Sequence, residues 1–283
     1  MSAELTAPVK VIAPGRGGLW GALVEGWRAR ELLGFLAWRD VKVRYKQTFL
    51  GAAWAVLQPI THMVIFTLIF NKVAGLKAPE GIPYPVYIFA ALLPWQLFHN
   101  SLSRSSDSVV AEARLLTKVY FPRLLIPFAS VVSGLVDFAI SLVILLVMML
   151  CYGLTPGWTI LCLPVFVVLA VMSALAVGLW LAAMNAKYRD FRYVVPFMLT
   201  IWMFVSPVAY PAAAVMEKLP PAWAWVYNLN PMAGVVEGFR WALLGKSGLA
   251  PEMLLVSFAM VLVVFWGGLL YFRKMERSFA DLL

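Results

Sequence analysis

Apolar residues come in long blocks along this chain, and polar residues collect in the short stretches between them. A helix needs about 20 mainly apolar residues to cross a hydrocarbon layer about 30 Å thick. Six blocks approach or exceed that length: residues 52–73, 86–106, 126–152, 161–185, 194–210 and 253–272. Each is expected to be helical, because an open strand in lipid would leave backbone N–H and C=O groups unpaired. The second block departs from a simple span. Its clean apolar part, residues 86–98, would reach only about 20 Å at about 1.5 Å per residue. It runs on as HNSLSRSSDS from His99 to Ser108, a stretch expected inside a protein bundle or against water.

Two regions outside the blocks carry a pattern of their own. From Glu31 onward, Leu32, Phe35, Leu36 and Val43 recur near helical spacing while Arg39, Lys42 and Lys46 take other faces. That pattern predicts an N-terminal amphipathic helix in the membrane interface, its basic groups near anionic head groups; a cytosolic docking helix fits it too. Ahead of it, residues 1–30, with Pro8, Pro14, Gly15, Gly17 and Gly18, read as a flexible tail. Residues 206–252, rich in Pro and Trp, are too broken to span and too apolar to leave the membrane. They are expected to re-enter the outer face as short helices, one over residues 231–244 with Asn230 as cap and Pro231 at the first helical position. A lid or gate is the natural use of such an element, and interfacial anchoring is the alternative.

Composition turns this pattern into a fold class. With 63% hydrophobic and 13% charged residues, the chain reads as an all-α membrane protein with six transmembrane helices. Eighteen of its 23 Lys and Arg residues fall in the stretches on one side of the six blocks. By the excess of positive charge in cytoplasmic loops, both termini are expected in the cytoplasm of a multi-pass protein. The net charge of +9 is then a topology signal. Basic residues spread over four loops do not make the single basic face that nucleic acid requires. The first 50 residues hold no long apolar run, so no cleavable signal peptide is expected.

Signals for soluble chemistry are missing. GFRWALLGKS, from Gly238 to Ser247, comes near a phosphate-binding loop in composition, but Arg240 stands where the first glycine should be. Neither a GxSxG elbow nor an HExxH pair is present, so no catalytic residue is assigned. Two histidines and two cysteines without a cluster do not support a metal site. Cys151 and Cys162, at the outer ends of the third and fourth blocks, read as thiols, with a bridge across the short loop as the alternative.

Polar residues inside the blocks carry more weight, because each is costly in lipid and tends to face a partner, a cavity or a pathway. Asp137 is the one carboxylate well inside a block, and His62 is the titratable group at similar depth. Either a proton relay or an Asp bonded to neighbouring hydroxyls would account for it. Gln58, Thr61 and His62 fall with Trp54 on roughly one face of the first helix, and Trp202, Ser206 and Tyr210 recur every fourth residue in the fifth. Such mixed faces suit a channel for a hydroxyl-rich substrate, since aromatic rings pack on sugar faces while hydroxyls and amides exchange hydrogen bonds. Helix packing and aromatic belts account for the same residues. In the fourth block Ala170, Ala174, Gly178, Ala182 and Ala186 form a stripe of small residues that permits close helix approach.

Four segments together resemble a known family. They are RDVKVRYKQTFLGAAWAVLQPI from Arg39, LLTKVYFPRLLIP from Leu115, KYRDFRYVVPFMLTIWMFVSPVAYP from Lys187 and NPMAGVVEGFRWALLG from Asn230. In this order they resemble the permease subunits of type-2 ABC exporters for O-antigen and related cell-surface polysaccharides, from about Leu32 to the C-terminus. The resemblance implies a homodimer in the bacterial inner membrane that carries two separate ATP-binding cassette subunits. ATP and Mg would then bind the partner subunits, and this chain would bind no cofactor. It implies a lipid-linked glycan, typically on undecaprenyl diphosphate, as the substrate. By analogy Arg39, Lys42, Arg44 and Lys46 would meet the diphosphate head group. A gate and coupling helix would lie within residues 105–121, with Asp107, Glu112 and Arg114 facing the ATPase, and residues 212–219 and 231–244 would close the channel outside. A permease for teichoic acid, capsule or a drug, or a secondary transporter using Asp137 and His62, are the alternatives.

Overall fold

A computed structural model of the chain describes residues 19–46, 53–118, 121–218, 220–245, 250–276 and 278–279, and among these no strand occurs. Helices α1 (Leu19–Arg28) and α2 (Arg30–Lys46) precede α3 (Ala53–Phe66), which continues as a π-helical turn over Thr67–Val73. Then follow α4 (Tyr84–Ala111), α5 (Ala113–Lys118), α6 (Leu125–Cys151) and α7 (Leu163–Lys187), the last led in by a 3₁₀ turn over Trp158–Cys162. The rest is α8 (Phe191–Val205), α9 (Ala212–Met216), α10 (Pro221–Asn228), α11 (Pro231–Leu244) and α12 (Pro251–Glu276). Among the described residues, four helical segments are long and apolar enough to cross a membrane: Ala53–Val73, Leu125–Cys151, Trp158–Lys187 and Pro251–Glu276. The other two expected spans differ in kind. α4 has the length but is polar over its second half, and α8 is apolar but only 15 residues long.

Helix α4 is the axis of the molecule. Its first half, including Val86, Ile88, Phe89, Ala90 and Phe98, is sealed from the surface. Its second half stays inside the bundle although it is polar, with Ser101, Ser105, Ser106 and Ser108 all buried. Glycine makes this possible. A Cβ at Gly134 of α6 would lie 2.9 Å from Ser101 Oγ, and one at Gly178 of α7 would lie 2.5 Å from Ser105 Oγ. The small-residue stripe on α7 faces inward, with Ala170, Ala174 and Ala182 fully buried. Close backbone approach replaces large side chains along this seam. On the far side of α7, Trp180 stacks on Tyr271 of α12 at 4.9 Å, and its indole N–H donates to Val264 O at 3.0 Å.

One apolar set attaches α2 to the bundle. Leu36, Ala37 and Val41 of α2 are buried, and Leu36 and Ala37 join Leu125, Ile126 and Ala129 at the start of α6 in one cluster. Phe35, Trp38 and Val43 point outward instead, being 66%, 57% and 56% exposed. The apolar residues expected on one face of this helix therefore divide between two, because α6 covers one and leaves the other open. Within the segment read as a tail, Leu19–Arg28 is helical, and residues 1–18 lie outside the described residues.

At the opposite end of the bundle, α11 is a core element. Met232, Ala233, Val235, Val236, Phe239 and Ala242 have no exposed surface. Asn230 caps it by accepting the Met232 N–H at 3.0 Å, with Pro231 at the first helical position, and Gly245 ends it in the left-handed region at φ 68°. One expected helical register fails nearby. α8 ends at Val205, and Ser206 is extended at ψ 148°, since the residue before a proline is driven out of the α region. Ser206 and Tyr210 thus lie in a turn beyond the helix that carries Trp202. Cys151 and Cys162 are free thiols at this end.

Candidate functional site

Helical spacing gathers polar groups on one face of each of three helices near the α2 end. On α6, Ser130, Ser133, Asp137 and Ser141 share one face; on α4, Gln96, Asn100 and Arg104 recur every fourth residue; on α3, Trp54, Gln58 and His62 do the same, with Thr61 beside them. With Arg44 and Tyr45 from the last turn of α2, all of these except Ser130 and Ser133 line a cavity of about 440 Å³. A second cavity of about 610 Å³ adjoins it toward the α4–α5 turn, lined by Arg39, Asp40, Asp107, Glu112 and Ser130 among others. Arg44 and Arg104 belong to both walls.

Charge is concentrated where the cavities meet. Asp137 accepts from Arg44 Nη1 and from the Tyr45 hydroxyl, and from Arg104 Nη2 at 3.1 Å. Arg44 also donates to Ser133 Oγ at 3.1 Å. Burial first, and then the hydrogen bond to Asp137, push the Tyr45 phenol up to about 12, so it remains a donor at neutral pH. A mirror arrangement stands next to it. Arg39 lies between two carboxylates, reaching Asp40 Oδ1 at 2.8 Å and Glu112 Oε2 at 3.2 Å. Burial works against its charge, but the hydrogen bonds to Glu112 and Asp40 outweigh it and raise its pKa. These two knots tie α2 to α6 and to the α4–α5 turn.

The sequence candidates fall into three places. Trp54, Gln58, Thr61 and His62 line the smaller cavity, where His62 Nδ1 and Gln96 Nε2 stand 3.3 Å apart. Trp202, Ser206 and Tyr210 are near α11: Trp202 donates to Asn230 Oδ1 at 2.8 Å, Asn230 donates to Ser206 Oγ at 3.0 Å, and the Tyr210 hydroxyl donates to Phe204 O at 2.8 Å. Of the basic set, Arg44 enters the cavity and Arg39 is held by carboxylates. Lys42 is exposed over Trp38 at 5.7 Å, and Lys46 is exposed. Asp107 accepts from Asn185 at 2.9 Å, which pins the end of α7 to α4, and Arg114 is exposed on α5.

Arg104, Tyr45, Gln96 and Asn100 were absent from those candidates. For Gln96, Asn100 and Arg104 the signal was the four-residue recurrence along α4, obscured by the serines around it. The pair Glu237 and Arg240 on α11 was absent as well. Arg240 has no exposed side-chain surface; it donates to Tyr210 O at 3.1 Å, Val208 O at 2.7 Å and Glu237 Oε1 at 3.1 Å, and its guanidinium lies 3.9 Å from the Tyr87 ring centre. Glu237 also accepts the Ala212 N–H at 2.9 Å. This pair holds the turn between α8 and α9.

Membrane-length helices, with α2 tied to α6 beside a polar cavity, describe a multi-pass membrane protein, and comparison identifies its kind. Residues 31–244 match the model of the ABC-2 type transporter family, and the chain belongs to that family. It is similar to the O-antigen export system permease protein RfbA of Myxococcus xanthus, with 32% identity over 91% of this chain and 97% of the relative. The protein of that name from Klebsiella pneumoniae is 27% identical over 89% of this chain and 95% of its own length. The polysialic acid transport protein KpsM of Escherichia coli is 24% identical over 85% and 92%.

Proposed function

We propose that this chain is the membrane-spanning subunit of an ATP-driven exporter that carries O-antigen-type polysaccharide, linked to undecaprenyl diphosphate, across the bacterial inner membrane. The observation that carries this reading is the similarity, over nearly their whole length, to relatives named for O-antigen export. The cavity supports it, with arginines at one end and Trp54, Gln58, Thr61 and His62 along the wall, as an anionic head group followed by sugar would require.

In this reading six helices cross the membrane, with α4 and α8 as the second and fifth and both termini in the cytoplasm. Two copies pair, and each carries a separate ATP-binding cassette subunit that holds ATP and Mg. The outward apolar residues of α3 and α8, such as Val64, Ile65, Phe197 and Phe204, are exposed in the single chain and would meet lipid or the second copy. Motion of the ATPase would reach the bundle through α5 and through Arg39, which joins α2 to Glu112. Helices α9 to α11 would re-enter from the outer face and close the path there.

A proton relay is disfavoured by geometry. Both oxygens of Asp137 are taken by Arg44, Arg104 and Tyr45, while His62 stands against Gln96. Deleting the gene in its own bacterium tests the proposal. Surface polysaccharide should vanish while lipid-linked polymer accumulates inside, and re-expression should reverse both; an unchanged surface would overturn it. If polysialic acid rather than O-antigen disappeared, the substrate would be the one that the name of the Escherichia coli relative suggests. Orientation is checked by labelling intact cells with an impermeant maleimide, which should reach exposed Cys151 from outside.

A further inference from the structure

Asp137 has more positive partners than one carboxylate neutralises. Arg44 and Arg104 both direct a nitrogen at the same oxygen, Oδ2, while Tyr45 occupies Oδ1. Two guanidiniums therefore share one carboxylate, and the carboxylates of the adjoining cavity are engaged elsewhere, Asp40 and Glu112 by Arg39 and Asp107 by Asn185. Arg104 also keeps Nη1 buried without a hydrogen-bond partner. Among the described residues lining the smaller cavity, Asp137 is the only carboxylate. The knot is reachable: the side chains of Arg44, Arg104 and Asp137 retain 25%, 32% and 20% of their exposure.

A carboxylate held this way resembles a ligand more than a structural counter-ion. We infer that Asp137 is a displaceable internal ligand, occupying a fork of Arg44 and Arg104 that accepts the diphosphate of an amphiphile lodged in the cavity. This rests on the export reading and assigns its head-group contact to one place. A diphosphate offers more charge and more acceptor oxygens than a carboxylate, so it answers both guanidiniums and the spare Nη1 together. Once displaced, Asp137 turns toward the cavity. Helix α2 then loses its charged link to α6 and keeps its apolar contact through Leu36 and Ala37, so occupancy of the cavity alters how the interface helix is held.

The test uses the purified full-length protein in detergent. A water-soluble carbodiimide labels accessible carboxylates, and peptide mass spectrometry reads Asp137. Geranyl diphosphate should raise labelling of Asp137 about threefold or more, inorganic pyrophosphate should compete for the same site, and geraniol should leave labelling unchanged. Binding followed by native mass spectrometry should weaken about tenfold or more in Arg44→Gln and Arg104→Gln, and tighten about threefold in Asp137→Asn, because the competing charge is gone. The opposite sign in Asp137→Asn separates a competitor from a scaffold. Weaker binding in that variant overturns the inference, as does a wild-type response to phosphatidylglycerol nanodiscs equal to that for geranyl diphosphate, or unchanged Asp137 labelling under saturating diphosphate. The labelling needs no variant to fold and no transport to occur, so its failure leaves the export reading to the deletion strain.

Discussion

The two ends of α4 are each held by arginine, in opposite ways. Near α11, Arg240 is sealed off, and its acceptors are Glu237 of its own helix and the carbonyls of Val208 and Tyr210, beneath the Tyr87 ring. Near α2, Arg44 and Arg104 share Asp137 at the mouth of a cavity. A guanidinium closed into the core between backbone carbonyls and a carboxylate one turn away on its own helix has nothing to exchange with, so it clamps. Guanidiniums that share a side-chain carboxylate in contact with water can trade it for another anion. Charge at one end therefore serves rigidity, and at the other it serves binding.

Removing Arg240 should break the first half of this contrast most strongly. Arg240→Ala removes the cation beside the buried Glu237 carboxylate and is expected to lower stability by about 3–5 kcal/mol. Thermal unfolding in detergent measures it, and a wild-type midpoint would erase the distinction. Gly238→Ala comes next, since its Cβ would fall 2.1 Å from the Phe166 ring; overpacking should cost about 1–3 kcal/mol and should show as a lower melting temperature. Arg44→Gln and Arg104→Gln sharpen the other half. Each should shift stability by only about 1 kcal/mol, being partly exposed, while surface polysaccharide in complemented deletion cells falls to a trace. Ser105→Ala should have the smallest effect. Its hydroxyl is buried without a partner above Gly178, so stability should hold within about 1 kcal/mol or rise slightly.

Much of the fold was legible in residue order. The third, fourth and sixth helices agree with their expected bounds within a few residues, because a membrane-length apolar run admits almost no backbone other than a helix. The cap at Asn230 and the stop at Gly245 were readable too, since capping is decided by neighbours in the chain. Register beyond Trp202 was not: an apolar run continued through Ser206 and Tyr210, and the outcome turned on one proline. The two faces of α2 were hidden for another reason, as nothing in RELLGFLAWRDVKVRYK says which apolar side chains α6 will cover.

The candidate site divides along the same line. Trp54, Gln58, Thr61 and His62 were found together because they lie on one turn-spaced face of a single helix. Asp137 was conspicuous as a carboxylate in an apolar block, yet its partners come from positions 93 and 33 residues away in the chain. Glu237 and Arg240 looked like ordinary charges in an outer loop, and only the packing of α11 against α4 and α12 makes them buried.

Local order thus carries whatever depends on solvent and on nearest neighbours: which stretches are helical, which suit lipid, where helices begin and stop. Which charge meets which, and whether that meeting is closed or open to water, is settled only when distant helices pack, because electrostatic strength depends on the dielectric that packing creates.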